Sequence, residues 1–117
     1  MKKLVWLCLI IPQLAFAMIG LKVGDMAPSV VIKDTDGKSF DFSKQEGTTV
    51  AIFYRGSWCP YCVKQLKSVE TELLAKAKSK AKIVAISVDK IKVAKKMKRN
   101  LNFSFTVLSD PKAKSLK

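Results

Sequence analysis

The chain opens on an apolar run. Leu4 to Leu14 is almost continuously apolar, broken late by Pro12, with Lys2-Lys3 before it and Ala15-Phe16-Ala17 after it. A basic start, an apolar centre and a small-x-small end make the pattern of an export signal removed after Ala17. The apolar part is short of the roughly 20 residues that cross a bilayer. A retained amino-terminal anchor is the alternative, and only that would bring membrane contact. The expected division is therefore a signal peptide at 1–17 and one domain at 18–117.

Beyond the leader, short apolar runs alternate with longer stretches of helical period. Leu21 to Pro28 reads as a loop. Ser29-Val30-Val31-Ile32 and Ser39-Phe40-Asp41-Phe42 read as strands, joined through Asp34-Thr35-Asp36-Gly37-Lys38, where Asp-Gly signals a hairpin turn. Ser43 and Glu46 have the spacing of a capping box on one helical turn. Val50-Ala51-Ile52-Phe53-Tyr54 is rich in β-branched and aromatic residues and reads as a buried strand. From Pro60 to about Lys78, apolar residues at Val63, Leu66, Val69, Leu73 and Ala77 predict one helix face. Ile83 to Val88 is a second buried strand, and strand–helix–strand implies parallel pairing with a right-handed crossover. Ile91, Ala94, Met97 and Leu101 mark another helix face, and Phe105 to Leu108 a last short strand. Asp110-Pro111 would cap a further helix. The pattern is that of an α/β protein.

About a hundred residues after the leader suffice for one small domain. The helix announced by Asp110 barely starts before Lys117. A sheet ending there keeps an unpaired edge, an aggregation hazard, so the domain is expected to be incomplete at its carboxyl end. A swapped dimer or a partner completing the sheet is the alternative.

Charge divides the chain. Met18 to Val63 holds five basic and five acidic residues, whereas Lys64 to Lys117 holds fifteen basic and four acidic, a balance of +11. Lysines at 64, 67, 76, 78, 80, 82, 92, 95, 96 and 98, with Arg99, decorate the outer faces of the predicted helices. Such a surface is either simply solvated or attracts an anionic partner. Export and the lack of a nucleic-acid module argue against nucleic acid, and an acidic redox partner fits better.

The chemistry is concentrated in Ser57-Trp58-Cys59-Pro60-Tyr61-Cys62, where a strand hands over to a helix. Cys59 falls near the cap and Pro60 in the first turn, where a missing N–H costs nothing. Free N–H groups at a helix start favour negative charge on sulfur, and the thiolate is the attacking form. Two residues between the cysteines let the sulfurs meet across one turn. Cys59, nearer the exposed end, is expected to attack, and Cys62 to resolve. Zinc would need about four N or S ligands, and the chain has no histidine and only one other cysteine, Cys8, inside the leader. No metal or other cofactor is expected. A static disulfide is the remaining alternative, although so short a loop constrains the unfolded chain little.

Phe53-Tyr54-Arg55-Gly56-Ser57-Trp58-Cys59-Pro60-Tyr61-Cys62 with Gln65-Leu66 resembles the active site of the alkyl hydroperoxide reductase/thiol-specific antioxidant (redoxin) group of peroxiredoxin-like proteins. Val23 to Pro28 and the Asp34 to Lys38 hairpin are similar to that group's amino-terminal extension, and Leu108-Ser109-Asp110-Pro111 to its segment after the second helix. The resemblance implies a thioredoxin-like fold with an amino-terminal β-hairpin extension. Two departures qualify the implied activity. Peroxiredoxins carry PxxxTxxC; aligned without gaps, its cysteine falls on Cys62, its threonine on Cys59 and its proline on Arg55. The pair instead resembles the WCxxC of thioredoxin-like disulfide reductases, which assigns attack to Cys59 and has Trp58 shield the sulfurs, unless Trp58 is simply a partly buried aromatic. The second departure is the region carrying that superfamily's cis-proline loop and the peroxiredoxin arginine, which has no counterpart here.

These readings converge on an exported, periplasmic or extracellular thiol-dependent oxidoreductase. Its site would comprise Cys59 and Cys62, supported by Trp58, Pro60 and Arg55. Peroxide or disulfide would be the substrate and a protein thiol the redox partner. Arg55 and Lys64 are both near enough in sequence to lower a thiolate pKa; Lys64 reads more simply as surface charge. The competing readings are a reductase without peroxidase activity and a non-catalytic fragment or lysine-rich interaction module.

Overall fold

The computed structural model describes residues 20–74 and 81–116. The first hairpin is built by Asp34, whose Oδ1 accepts the N–H groups of Asp36 and Lys38 at 2.8 and 2.9 Å. Gly37 takes φ +83°, a conformation a side chain resists. The turn joins β1, Val31–Asp34, to β2, Ser39–Asp41, in antiparallel pairing of Ile32 with Phe40. Both strands start or stop within two residues of the expected limits. The capping-box reading of Ser43 and Glu46 is corrected: the short 3-10 turn Phe42–Lys44 is capped by Asp41, whose carboxylate accepts the Ser43 N–H at 3.0 Å and its hydroxyl at 2.7 Å.

Three further strands, β3 (Thr49–Phe53), β4 (Lys82–Ser87) and β5 (Thr106–Ser109), complete a five-stranded sheet in the order β2-β1-β5-β4-β3. β3, β4 and β5 are parallel, and β1 runs antiparallel to β5. This is the expected α/β arrangement, with the hairpin added at one side. One expectation fails. β3 is not buried: it is the outer strand among the described residues, with Val50, Ala51 and Phe53 exposed. The buried strand is β4, which lies between β3 and β5. Its apolar run serves both faces, Ile83 and Ala85 packing in one cluster and Val84 and Ile86 in the other.

Both helices cover the Ile83–Ala85 face. α1, Pro60–Ser68, buries Leu66, and α2, Ile91–Asn100, buries Ala94 and Met97 with Ile91 and Leu101 half-buried, the stripe expected from the sequence. Phe103 and Phe105 stack in this cluster with ring centroids 4.8 Å apart. The opposite face is closed by Ile32 and Leu108 with Phe40 and Phe42 from the hairpin side.

The predicted long helix changes character after Ser68. Val69–Leu73 forms a π-helical turn, which accommodates one extra residue and rotates the residues after it about the helix axis. Leu74, not Leu73, therefore packs against the core, and Leu73 is 41% exposed. Ala77 and Lys78 of the expected face lie outside the described residues, as does the whole 1–17 leader. After β5, Asp110 takes up its capping role, accepting the N–H groups of Lys114 and Ser115 at 2.8 Å each and the Ser115 hydroxyl at 2.7 Å. What it caps is a short 3-10 turn, Lys114–Leu116, rather than a helix beginning at Pro111.

Candidate active site

The chain leaves β3 through Tyr54, whose N–H still donates to Ile86 O at 2.9 Å. It then turns tightly, with the Cys59 N–H donating to Gly56 O at 3.1 Å. Cys59 is the N-cap of α1 and Pro60 the first helical residue, as the spacing predicts. Gly56 makes room here for the Trp58 ring, since a Cβ at that position would run into Trp58 Nε1 unless the exposed indole moved aside. The indole folds back over this glycine, and the Arg55 guanidinium sits 4.9 Å from its ring centroid, a cation–π contact.

Both cysteines are free thiols, and Cys62 Sγ donates to Cys59 Sγ at 2.7 Å. Closing a disulfide from this separation needs little movement of the backbone. The Cys59 thiol is held below the ordinary cysteine range. The Cys62 thiol and its N–H stabilise the thiolate most, burial opposes them, and the Arg55 charge and the Tyr61 N–H add to the lowering. Of the two nearby cations it is thus Arg55 that acts on the sulfur, and Lys64 is on the exposed side of α1. The exposure of the pair is the reverse of expectation. Cys59 is 8% exposed and Cys62 the more open, because the 56–59 turn tucks the cap residue inward.

Cys62, Arg55 and Trp58 line an apolar cleft of about 470 Å³, together with Phe53, Tyr54 and residues of the 110–116 turn. Trp58 is 62% exposed beside it. Tyr54 is buried with a hydroxyl that finds no hydrogen-bond partner among the described residues, and burial pushes its pKa up to about 12. It therefore stays a neutral phenol near the thiols.

Asp89 is a further component that the sequence did not single out. This buried carboxylate accepts the Ser57 N–H through Oδ2 at 2.7 Å, while its own N–H donates to Ser87 Oγ at 3.2 Å. The Ser109 hydroxyl donates to Asp89 O at 2.6 Å, so the ends of β4 and β5 brace the turn that carries Ser57 and Cys59. A lone aspartate after a buried strand was the only available signal. Among the described residues no group of three or more His, Cys, Asp or Glu side chains is placed to hold a metal ion. Nor is any helix there long and apolar enough to cross a membrane.

Residues 23–117 match the AhpC/TSA family. The fold is similar to that of a Xanthomonas campestris peroxiredoxin Q mutant, with TM-score 0.64 at 23% identity over 70% of this chain and 53% of that one. Peroxidoxin BcpB from Mycobacterium tuberculosis gives TM-score 0.72 at 23% identity, covering 83% of this chain and 65% of that one. A secreted disulfide oxidoreductase of the same organism gives TM-score 0.58 at 24% identity, covering 70% and 60%. The chain thus spans between about half and two thirds of the length of these structures. A comparison with curated proteins finds no match.

Proposed function

Because the chain belongs to the AhpC/TSA family, we propose that it is a thiol-dependent oxidoreductase cycling Cys59 and Cys62 between dithiol and disulfide. The observation that carries this reading is the Cys62 thiol donating to Cys59 Sγ at 2.7 Å, at the amino end of α1. With a hydroperoxide, the Cys59 thiolate attacks the distal oxygen, the O–O bond breaks, and the alkoxide takes a proton and leaves as an alcohol. Cys62 then attacks the resulting sulfenic acid, the S–O bond breaks, and water leaves as the disulfide closes. With a disulfide substrate, Cys59 forms a mixed disulfide and releases one thiol, and Cys62 displaces the other. A protein dithiol then reduces the Cys59–Cys62 bridge. Arg55 supports the thiolate, Pro60 starts the helix, and Trp58 walls the cleft.

Cys59→Ser is expected to abolish turnover, and Cys62→Ser to leave a trapped sulfenic acid or mixed disulfide visible by mass spectrometry. Full activity in both variants would end the proposal. A second reading, disulfide reduction without peroxidase activity, is favoured by one observation: Cys59 and Arg55 stand where PxxxTxxC has its threonine and proline. Peroxide consumption no faster than that of a free thiol would select it. Export through cleavage after Ala17 belongs to the same proposal, supported by the leader's pattern, and amino-terminal sequencing of the protein from its cell tests it.

A further inference from the structure

A second cleft, of about 960 Å³, lies on the other side of the 110–116 turn from the redox cleft. It is lined by five lysines, Lys33 from β1, Lys90 and Lys92 from the start of α2, and Lys112 and Lys114 from the turn. All five are exposed, and none forms an ion pair among the described residues. Among the described residues the one carboxylate lining the cleft, Asp110, is buried and already accepts from the Lys114 and Ser115 N–H groups and the Ser115 hydroxyl. Its charge is therefore turned inward. Exposed Val31 and Val93 give the cleft an apolar floor.

Three separate elements thus converge on one concave, positively charged, partly apolar surface. A solvated helix face explains lysines on one helix, but not their convergence from a strand, a helix start and a turn. Concavity with an apolar floor suits an acidic polypeptide segment better than a planar lipid surface. The turn connects this surface to the chemistry: Lys112 and Lys114 face the basic cleft, while Ala113, Ser115 and Leu116 line the cleft holding Cys62.

We infer that the Lys33, Lys90, Lys92, Lys112 and Lys114 cleft docks an acidic segment of the protein that exchanges disulfides with Cys59 and Cys62. The inference rests on the proposed redox function for the identity of the occupant. Bound there, a partner's disulfide or dithiol is carried over the turn to the Cys59–Cys62 pair, and opposite charge accelerates the encounter.

The test uses the full chain with two disulfide-linked peptides, one flanked by four glutamates and one by four glutamines. Reduced protein is expected to react about tenfold faster with the glutamate peptide at low salt, and the preference to vanish at about 1 M salt. Replacing the five cleft lysines by glutamine should remove the preference and leave the rate on the glutamine peptide unchanged. Replacing Lys64, Lys67, Lys95, Lys96 and Lys98 instead should keep it. Equal loss in both variants, or no preference in the parent, overturns the assignment. If neither peptide reacts, the redox reading is what fails. Docking is then judged by anisotropy of the labelled glutamate peptide on the Cys59→Ser/Cys62→Ser chain, where cleft-dependent binding supports it and none overturns it. Cleft-dependent binding to phosphatidylglycerol vesicles without peptide binding would assign the surface to lipid and overturn it too.

Discussion

Asp89 Oδ2 accepts the Ser57 N–H at 2.7 Å across 32 positions of sequence, tying the loop after β4 to the turn that presents Cys59. Asp89→Ala would leave that N–H without its acceptor in a partly buried place. A cost of about 1–3 kcal/mol is expected. Asp89→Asn keeps an acceptor oxygen and should cost less. Urea denaturation measures both, and equal stability of all three proteins would deny the bond a structural role.

The lowered Cys59 pKa has a direct kinetic consequence. Only the thiolate alkylates, so the rate falls tenfold per pH unit below the pKa. Site-resolved alkylation by iodoacetamide should show a midpoint for Cys59 below the ordinary value of about 8.5. Cys62→Ala removes the leading stabiliser and should move the midpoint up, and Arg55→Gln should move it up by less. A midpoint at or above the ordinary value would contradict the arrangement of donors.

The π-helical turn makes adjacent leucines unequal. Leu66→Ala, at a site 1% exposed, should cost about 2–5 kcal/mol through the cavity it leaves. Leu74→Ala should cost less than that, and Leu73→Ala no more than about 0.5 kcal/mol, as at other surface sites. Were Leu73→Ala the more damaging of the neighbouring pair, the helix would run on as a regular α-helix past Ser68.

Gly56→Ala tests the folded-back indole. The new methyl would meet Trp58 Nε1, Trp58 Cδ1 at 2.8 Å and Asp89 Oδ1 at 3.1 Å. Trp58 is exposed enough to swing away, so the chain should still fold, with a loss of about 1–3 kcal/mol. Displacing the ring also separates it from Arg55. The expected readout is a changed emission of Trp58 in a Trp6→Phe background, and an unchanged spectrum would mean the ring is elsewhere in solution.

The sequence made the local features legible. Asp-Gly marked the first hairpin, the Ile91-Ala94-Met97-Leu101 stripe marked α2, and the cysteine spacing with Pro60 marked the start of α1. Each is written in residues a few positions apart. The features that escaped were set at long range. The apolar run of β3 looks the same whether the strand is central or outer, and only strand order decides. The π turn inside Val69–Leu73 leaves the three- and four-residue spacing almost undisturbed. Asp89 matters because of Ser57, and Asp110 because of Ser115 and Lys114; no local pattern announces the first of these pairings.

Tyr54, Asp89 and Asp110 each come just after the carboxyl end of a parallel strand, β3, β4 and β5 in turn. Their mutual placement is therefore fixed by the pairings Phe53 with Ile86 and Ser87 with Ser109. Adding or deleting one residue within β4 would exchange the two faces of that strand and at once shift Asp89 away from Ser57. Insertions in the loop of residues 20–28, which touches none of these pairings, leave them in place. Indels across this chain should thus be tolerated very unevenly, and a homologue's length variation would be expected to gather outside the three parallel strands.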